Sequence, residues 1–282
     1  MQTTVSKTVR LSGIGLHSGC EVKMSIFPAP ADTGIVFRRV DLPQKPEIRA
    51  LYTNVVNTQN CTCLGDADGN LVSTVEHVMA ALSVRGVDNA VVEVDNQELP
   101  IMDGSGKIFY EALQAVELKD LSAPRMYLKI KKDVSFADKN GNAVFLRPAE
   151  SFMIDFAIDF PSKIVGHQSF SGEITPEIFA TQIAPSRTFC EKNQVDYLRS
   201  VGLVKGGSLD NAVVLDGETI LNPGGFRVEN ECVNHKVLDA IGDLYTSGYH
   251  IIGRLSASKT GHFHNNELLK VLFADKSNYE LV

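Results

Sequence analysis

The sequence predicts an α+β protein of two similar layered domains, each a small, mostly antiparallel sheet packed against helices. Three observations predict this. Strand-like segments lead and helix-like segments follow in both halves, instead of the regular strand–helix alternation that builds a parallel sheet. Apolar residues alternate at a period of two in the leading segments, as in Val22, Met24 and Ile26, or Phe152, Ile154, Phe156 and Ile158. Between the halves, Leu118–Arg125, with Pro124, reads as a linker. The expected domains are 1–122 and 126–282, the second with an insert near 162–170.

In order along the chain, the first half opens with strands around Val5–Leu11 and Val22–Ile26, then 34–40 and 47–54. A helix is predicted near 73–85 and stops at Gly86, a favourable C-terminal cap. Residues 90–95 return as a strand. Asp103-Gly104-Ser105-Gly106 leads into a second helix near 107–116, in which Ile108, Phe109, Ala112, Leu113 and Val116 are spaced for burial. The second half begins with strands at 126–136, 142–147 and 152–160, followed by a loop or insert near 162–170. Helices are predicted at 176–182 and 191–201, a strand at 212–215, a helix at 229–247, a strand at 249–257 and a last helix at 266–272. Gly261-His262-Phe263-His264 reads as a turn.

Composition narrows the function classes. The chain has 282 residues, 44% of them hydrophobic and 22% charged, as in ordinary globular proteins. With 27 basic and 34 acidic residues the formal charge is −7, which argues against nucleic acid as a partner. The cysteines are Cys20, Cys61, Cys63, Cys190 and Cys232; an odd set in a chain of this length reads as reduced thiols, not a disulfide framework. No secretory pattern opens the chain, and no apolar run reaches the ~20 residues of a transmembrane helix. A cytoplasmic monomer is expected.

Two helices carry the candidate chemistry. At 100° per residue, Val75, Val78, Met79 and Leu82 form one stripe and His77 lies nearly opposite. In the 229–247 helix, Val233, Val237, Ala240, Ile241 and Leu244 form the stripe, with His235, Asp239 and Asp243 on the other side, one turn apart. The ligand faces are therefore expected to look outward, towards each other across a cleft. Two histidines and an aspartate make a three-ligand set that leaves a zinc ion one open position; iron(II) fits the same set, and the sequence does not separate them. Glu76, beside His77, is placed as a general base. Taken singly, these residues read equally as solvated helix faces. His262 or His264 could protonate a leaving group, and Asp243 could orient an imidazole. Lys205-Gly206-Gly207-Ser208 reads either as a phosphate cradle or as a glycine pair packing closely against a ligand, Cys61-x-Cys63 as structural thiols, and His17, in a glycine-rich turn, as a surface histidine in preference to one that reaches a ligand.

Together these segments resemble one family, the UDP-3-O-acyl-N-acetylglucosamine deacetylases of lipid A synthesis. The resemblance runs nearly end to end: Gly13-Ile14-Gly15-Leu16-His17-Ser18-Gly19, Thr74-Val75-Glu76-His77, Leu99-Pro100-Ile101-Met102-Asp103-Gly104-Ser105-Gly106, Ser186-Arg187-Thr188-Phe189, Lys205-Gly206-Gly207-Ser208, Asn222-Pro223, Asn234-His235-Lys236-Val237-Leu238-Asp239-Ala240-Ile241-Gly242-Asp243-Leu244 and Gly261-His262. It implies two such domains facing each other across the active site, and catalytic zinc on His77, His235 and Asp239, with Glu76 as general base. It implies His262 as general acid, oriented by Asp243, Thr188 at the carbonyl oxygen and Lys236 on an acylated UDP-sugar. It also implies a passage for the fatty acyl chain lined by Phe189, Val195, Leu198, Val204, Gly207, Ser208, Ala212 and Val214, capped by Ile164 and Val165. A bell-shaped pH profile is expected from the acid and the base. The competing readings are a hydrolase of another amino sugar and a metal-stabilised binding module without turnover.

Overall fold

The computed structural model describes residues 1–282. In the first half, a five-stranded sheet runs in the order Val9–Ile14, Glu21–Pro28, Ala90–Val94, Ile35–Arg39, Glu47–Arg49. All its pairings are antiparallel except that of Ile35–Arg39 with Ala90–Val94. Its alternation behaves as expected: Val22, Met24 and Ile26 are buried while Glu21 and Lys23 face water. The helices of this half are α1 (Glu76–Arg85) and α2 (Lys107–Gln114), which pack together.

The second half is built on a seven-stranded sheet. His250–Ser258 is its hub, pairing with Tyr127–Ile130 and Phe152–Asp159 in parallel and with Ala143–Arg147 antiparallel. The helices that follow are α3 (Pro176–Ile178), α4 (Lys192–Ser200), α5 (Glu231–Tyr245) and α6 (His262–Ala274). A small sheet of Phe189–Glu191, Val213–Asp216 and Thr219–Ile220 lies beside α4. Small sheets layered with six helices bear out the α+β class. No sheet mixes strands from before and after residues 121–126. One apolar cluster of 54 residues nevertheless contains residues of both halves.

Several local expectations are corrected. Leu118–Asp120 is not linker but a strand paired with Thr3–Val5; three residues are too few to show a period. The expected insert is irregular only up to residue 166: its second part is strand, in which His167–Glu173 pairs antiparallel with Phe152–Asp159. Its inward positions include Gln168, whose side chain accepts from the Val233 N–H, so the apolar alternation is broken by a satisfied polar group. Three short strands, Val55–Asn57, Cys63–Gly65 and Leu71–Ser73, form a sheet that no periodicity announces. Helix α1 starts at Glu76, after Thr74 turns through φ +60°. His262 opens α6 and does not lie in a turn.

The largest correction concerns the helix faces. Every residue from Glu76 to Leu82 is buried, and so is nearly all of α5. The two helices cross in direct contact, and Gly242 lies where an added Cβ would sit 1.9 Å from the Glu76 carbonyl oxygen. The faces opposite the stripes therefore pack on each other, not on water.

Candidate active site

Where α1 meets α5, the ligand atoms of His77, His235 and Asp239 all lie within 4.8 Å of one another. Asp239 Oδ1 is 3.7 Å from His77 Nε2 and 3.5 Å from His235 Nε2. The imidazole planes stand at 89°. The His235 Nδ1–H donates to the Ser186 carbonyl at 3.0 Å, which leaves Nε2 free as a ligand. Asp239 Oδ2 accepts from Lys236 Nζ at 2.6 Å, whereas buried Asp239 Oδ1 has no hydrogen-bond partner.

The protonation states suit a cation. Burial, reinforced by His235, pushes His77 down to about 3, and burial also lowers His235, so both imidazoles are neutral. Burial works against ionised Asp239, but Lys236 and the surrounding histidines outweigh it and hold the carboxyl far below its usual range. Two neutral imidazoles and a carboxylate with an orphaned oxygen are the donor set a divalent ion takes. The residues present fit a metal.

Two proton-carrying groups flank this cluster. Burial pushes the Glu76 carboxyl up to about 7; His262 opposes that, and Asp239 and Asp243 add to it. Burial disfavours the imidazolium of His262, but Asp243, Asp239 and Glu76 prevail and raise it to about 9. His262 Nδ1 is 2.9 Å from Asp243 Oδ2 and its Nε2 is 4.0 Å from Asp239 Oδ2. A carboxyl poised to accept a proton and an imidazolium poised to give one thus face the same three ligands.

A cavity of about 610 Å³ opens from this point, lined by Glu76, His77, His235, Lys236, Asp239, His262 and Thr188 at its head. Phe189, Val195, Leu198, Val204, Gly207, Ser208, Ala212 and Val214 all lie on its wall. Ile164 and Val165 do not: they pack into the core instead of capping the passage. The backbone of Thr188 is held on both sides, its N–H by the Gly104 carbonyl and its own carbonyl by the Val213 N–H, each at 2.8 Å.

The remaining candidates separate clearly. His264 bonds Asp138 at 3.2 Å and meets the rings of Phe136 and Phe263 edge to face, outside the cavity. His17 lies in a turn as expected, but it is only partly exposed: it lines the cavity, and both ring nitrogens are shielded and unpartnered. Gly206 packs against the Gly15 carbonyl, protein backbone and not a ligand, while Gly207 lines the cavity. Cys61 and Cys63 are buried free thiols; burial pushes both up, Cys63 to about 11, so both stay protonated.

Sequence reasoning missed the residues that brace the site. Glu231, fully buried, takes Arg187 Nε at 2.8 Å and the N–H groups of Arg187 and Arg227 at 2.9 and 2.6 Å, fixing the Ser186 carbonyl that orients His235. Arg187 was inside a recognised motif, but nothing in its spacing pointed to Glu231. Thr62 was passed over between two cysteines, although it is the middle residue that reaches the site.

Comparison with known proteins identifies the family. A family model described as LpxC, UDP-3-O-acyl N-acetylglycosamine deacetylase, matches residues 2–274. The chain is 45% identical to the UDP-3-O-acyl-N-acetylglucosamine deacetylase of Shewanella violacea over 283 aligned positions, covering 100% of this chain and 92% of the relative. The enzymes of that name from Pseudoalteromonas atlantica, at 44% with 93% of the relative covered, and Idiomarina loihiensis, at 45% with 92% covered, match over the same full length of this chain. The chain therefore belongs to the UDP-3-O-acyl-N-acetylglucosamine deacetylase family.

Proposed function

We propose that this protein hydrolyses the acetamide of UDP-3-O-acyl-N-acetylglucosamine, releasing acetate and UDP-3-O-acyl-glucosamine, the committed step of lipid A synthesis. The observation that carries the site assignment is the convergence of His77, His235 and Asp239 at the head of a long cavity with apolar walls. These three residues would hold a divalent ion, zinc in our reading. When bound, it polarises the amide carbonyl and makes water acidic enough to react near neutral pH.

The rest of the chemistry belongs to the chain's own side chains. Glu76 takes a proton from the attacking water as its oxygen bonds to the acetamide carbon. The Thr188 hydroxyl donates to the carbonyl oxygen as negative charge develops there. His262, a cation by virtue of Asp243, gives its proton to the sugar nitrogen as the C–N bond breaks, so that the leaving group departs as a neutral amine. Lys236 Nζ neutralises Asp239 and stands on the cavity wall, where it can meet the nucleotide-sugar. The acyl chain lies along Phe189, Val195, Leu198, Val204, Ala212 and Val214. At about 0.8 kcal/mol per buried methylene it dominates selection of substrate.

The five free cysteines and a structure in which no helix is long and apolar enough to cross a membrane support a cytoplasmic setting. The test is acetate release from acylated and unacylated UDP-N-acetylglucosamine, before and after a chelator, in the parent and in Glu76→Gln. Chelation and Glu76→Gln should each abolish turnover, and Glu76→Gln should keep its metal. Full activity of Glu76→Gln, or equal turnover of the unacylated sugar, would overturn the reading.

A further inference from the structure

Thr62 stands between the two groups assigned to move protons, yet it is no part of the cavity wall. It is 2% exposed. Its backbone N–H donates to Glu76 Oε2 at 3.0 Å, and its hydroxyl donates to Asp243 Oδ1 at 2.5 Å. The other oxygen of Asp243 faces His262 Nδ1 and accepts from Asn265 Nδ2, both at 2.9 Å. One hydrogen-bonded path therefore runs from Glu76 through Thr62 and Asp243 to His262.

We propose that Thr62 is a positioning residue for the deacetylation, holding the general base by its backbone and the carboxylate behind the general acid by its hydroxyl. The proposal rests on the assignment of Glu76 and His262 made above. A carboxylate held at one oxygen can still turn about its terminal torsion, which is soft. With Thr62 on Oδ1, and His262 and Asn265 on Oδ2, the plane of Asp243 is fixed, and the His262 ring with it. Threonine suits the role because its branched side chain is stiff at χ1 and carries a donor one atom beyond Cβ. Its neighbours Cys61 and Cys63 are both buried, so the backbone carrying the N–H is anchored on either side. The residue connects the short-stranded sheet of the first half to α5 of the second and so sets base and acid in one frame.

The test compares Thr62→Val, which keeps the shape and the N–H but removes the hydroxyl, with Thr62→Ser, which keeps the donor. Both are measured in the metal-loaded enzyme for kcat, KM, bound metal and melting temperature. Thr62→Val should lower kcat about 10- to 100-fold, the cost of a small misplacement of reacting groups, with KM within about twofold and metal and fold retained. Thr62→Ser should recover kcat to within about threefold of the parent. In an Asp243→Ala background, which leaves the hydroxyl no acceptor, Thr62→Val should lower kcat by less than about threefold more. Three outcomes overturn the proposal: a parental kcat in Thr62→Val, an equal loss in Thr62→Ser, or an undiminished effect beside Asp243→Ala. Thr62→Ala is read by the same criteria if Thr62→Val does not fold. Misfolding of both with Thr62→Ser intact would give Thr62 a role in folding alone and equally overturn the proposal. Full activity of Glu76→Gln would instead sink the base assignment itself, whatever the Thr62 variants do.

Discussion

Substituting alanine for Gly242 tests whether the crossing of α1 and α5 sets the active site. The new Cβ would lie 1.9 Å from the Glu76 carbonyl oxygen, 2.7 Å from its carbon and 2.9 Å from its Cα. These are backbone atoms, so no flexible side-chain tip can move aside. Restoring an ordinary contact of 3.4 Å requires a shift of about 1.5 Å between the helices. α1 cannot simply retreat, since its first seven residues are buried and it also packs on α2. Overpacking of this kind costs about 1–3 kcal/mol. At roughly 2–4 °C per kcal/mol, the melting temperature should fall by about 2–12 °C. Glu76 and His77 open α1 and would move with it, and about 1 Å of misplacement costs on the order of 100-fold in rate. Calorimetry, acetate release at saturating substrate and metal content of the purified variant measure the three consequences. Gly172→Ala is the control, because the nearest atom to its added Cβ is a Phe170 ring carbon at an ordinary 3.7 Å; it should change neither stability nor rate. An unaltered melting temperature in Gly242→Ala would refute the close crossing. A loss of stability with parental kcat would show that the crossing does not position Glu76 and His77.

Two further outcomes are expected. Asp88 is held down to about 2: burial opposes its ionisation, but hydrogen bonds from His250, Arg125 and the Thr3 N–H prevail. Because its folded pKa lies below the unfolded value, its contribution of about 2–3 kcal/mol is complete above about pH 4 and is lost as pH falls towards 2. Asp88→Asn should therefore flatten the decline of unfolding free energy across that window, as read by denaturant titration at a series of pH values; a slope parallel to the parent's would contradict the cause given. Ala212→Phe, on the cavity wall, should lower kcat/KM for a long-chain acyl substrate by about 10-fold or more while leaving a short-chain analogue within about threefold, and equal losses on both would remove the passage from its assigned path.

The sequence revealed elements wherever a period was long enough to read. Helices α1 and α5, the Gly86 stop and the long strand at Phe152 were all legible, because 3.6- and 2-residue periods need about two turns or several alternations to stand out. The sheet that Thr62 leads into was not, since its strands have three residues each. The helical start at His262 was hidden because His-Phe-His-Asn-Asn contains no strong helix former. The three metal-ligand candidates were picked out by a geometric inference that was half wrong. Treating each helix alone assigns water to whatever face its stripe avoids. Here that face belongs to a second interface, and His77, His235, Asp239 and Asp243 are all buried in it. Burial is also what drives the imidazoles neutral and the Glu76 carboxyl up, so the error in placement concealed the cause of the chemistry.

The recognised motifs mix two kinds of information. Asp103-Gly104-Ser105-Gly106, Lys205-Gly206-Gly207-Ser208 and Ala240-Ile241-Gly242-Asp243 each contain a glycine at a place where the halves touch. A Cβ on Gly104 would meet the Asn211 carbonyl oxygen at 1.9 Å, one on Gly206 the Gly15 carbonyl oxygen at 2.3 Å, and one on Gly242 the Glu76 carbonyl oxygen at 1.9 Å. In each case a side chain is absent so that backbone from one half can lie against backbone from the other. Thr188 hangs from the Gly104 carbonyl, Leu16 and His17 of the cavity wall follow Gly15, and Glu76 itself lies under Gly242. The seams and the reacting groups are thus neighbours in the sequence because they are neighbours in mechanism: chemistry assembled from two halves of a chain needs those halves held to within a fraction of an ångström. Backbone packed on backbone is stiffer than any contact between side-chain tips.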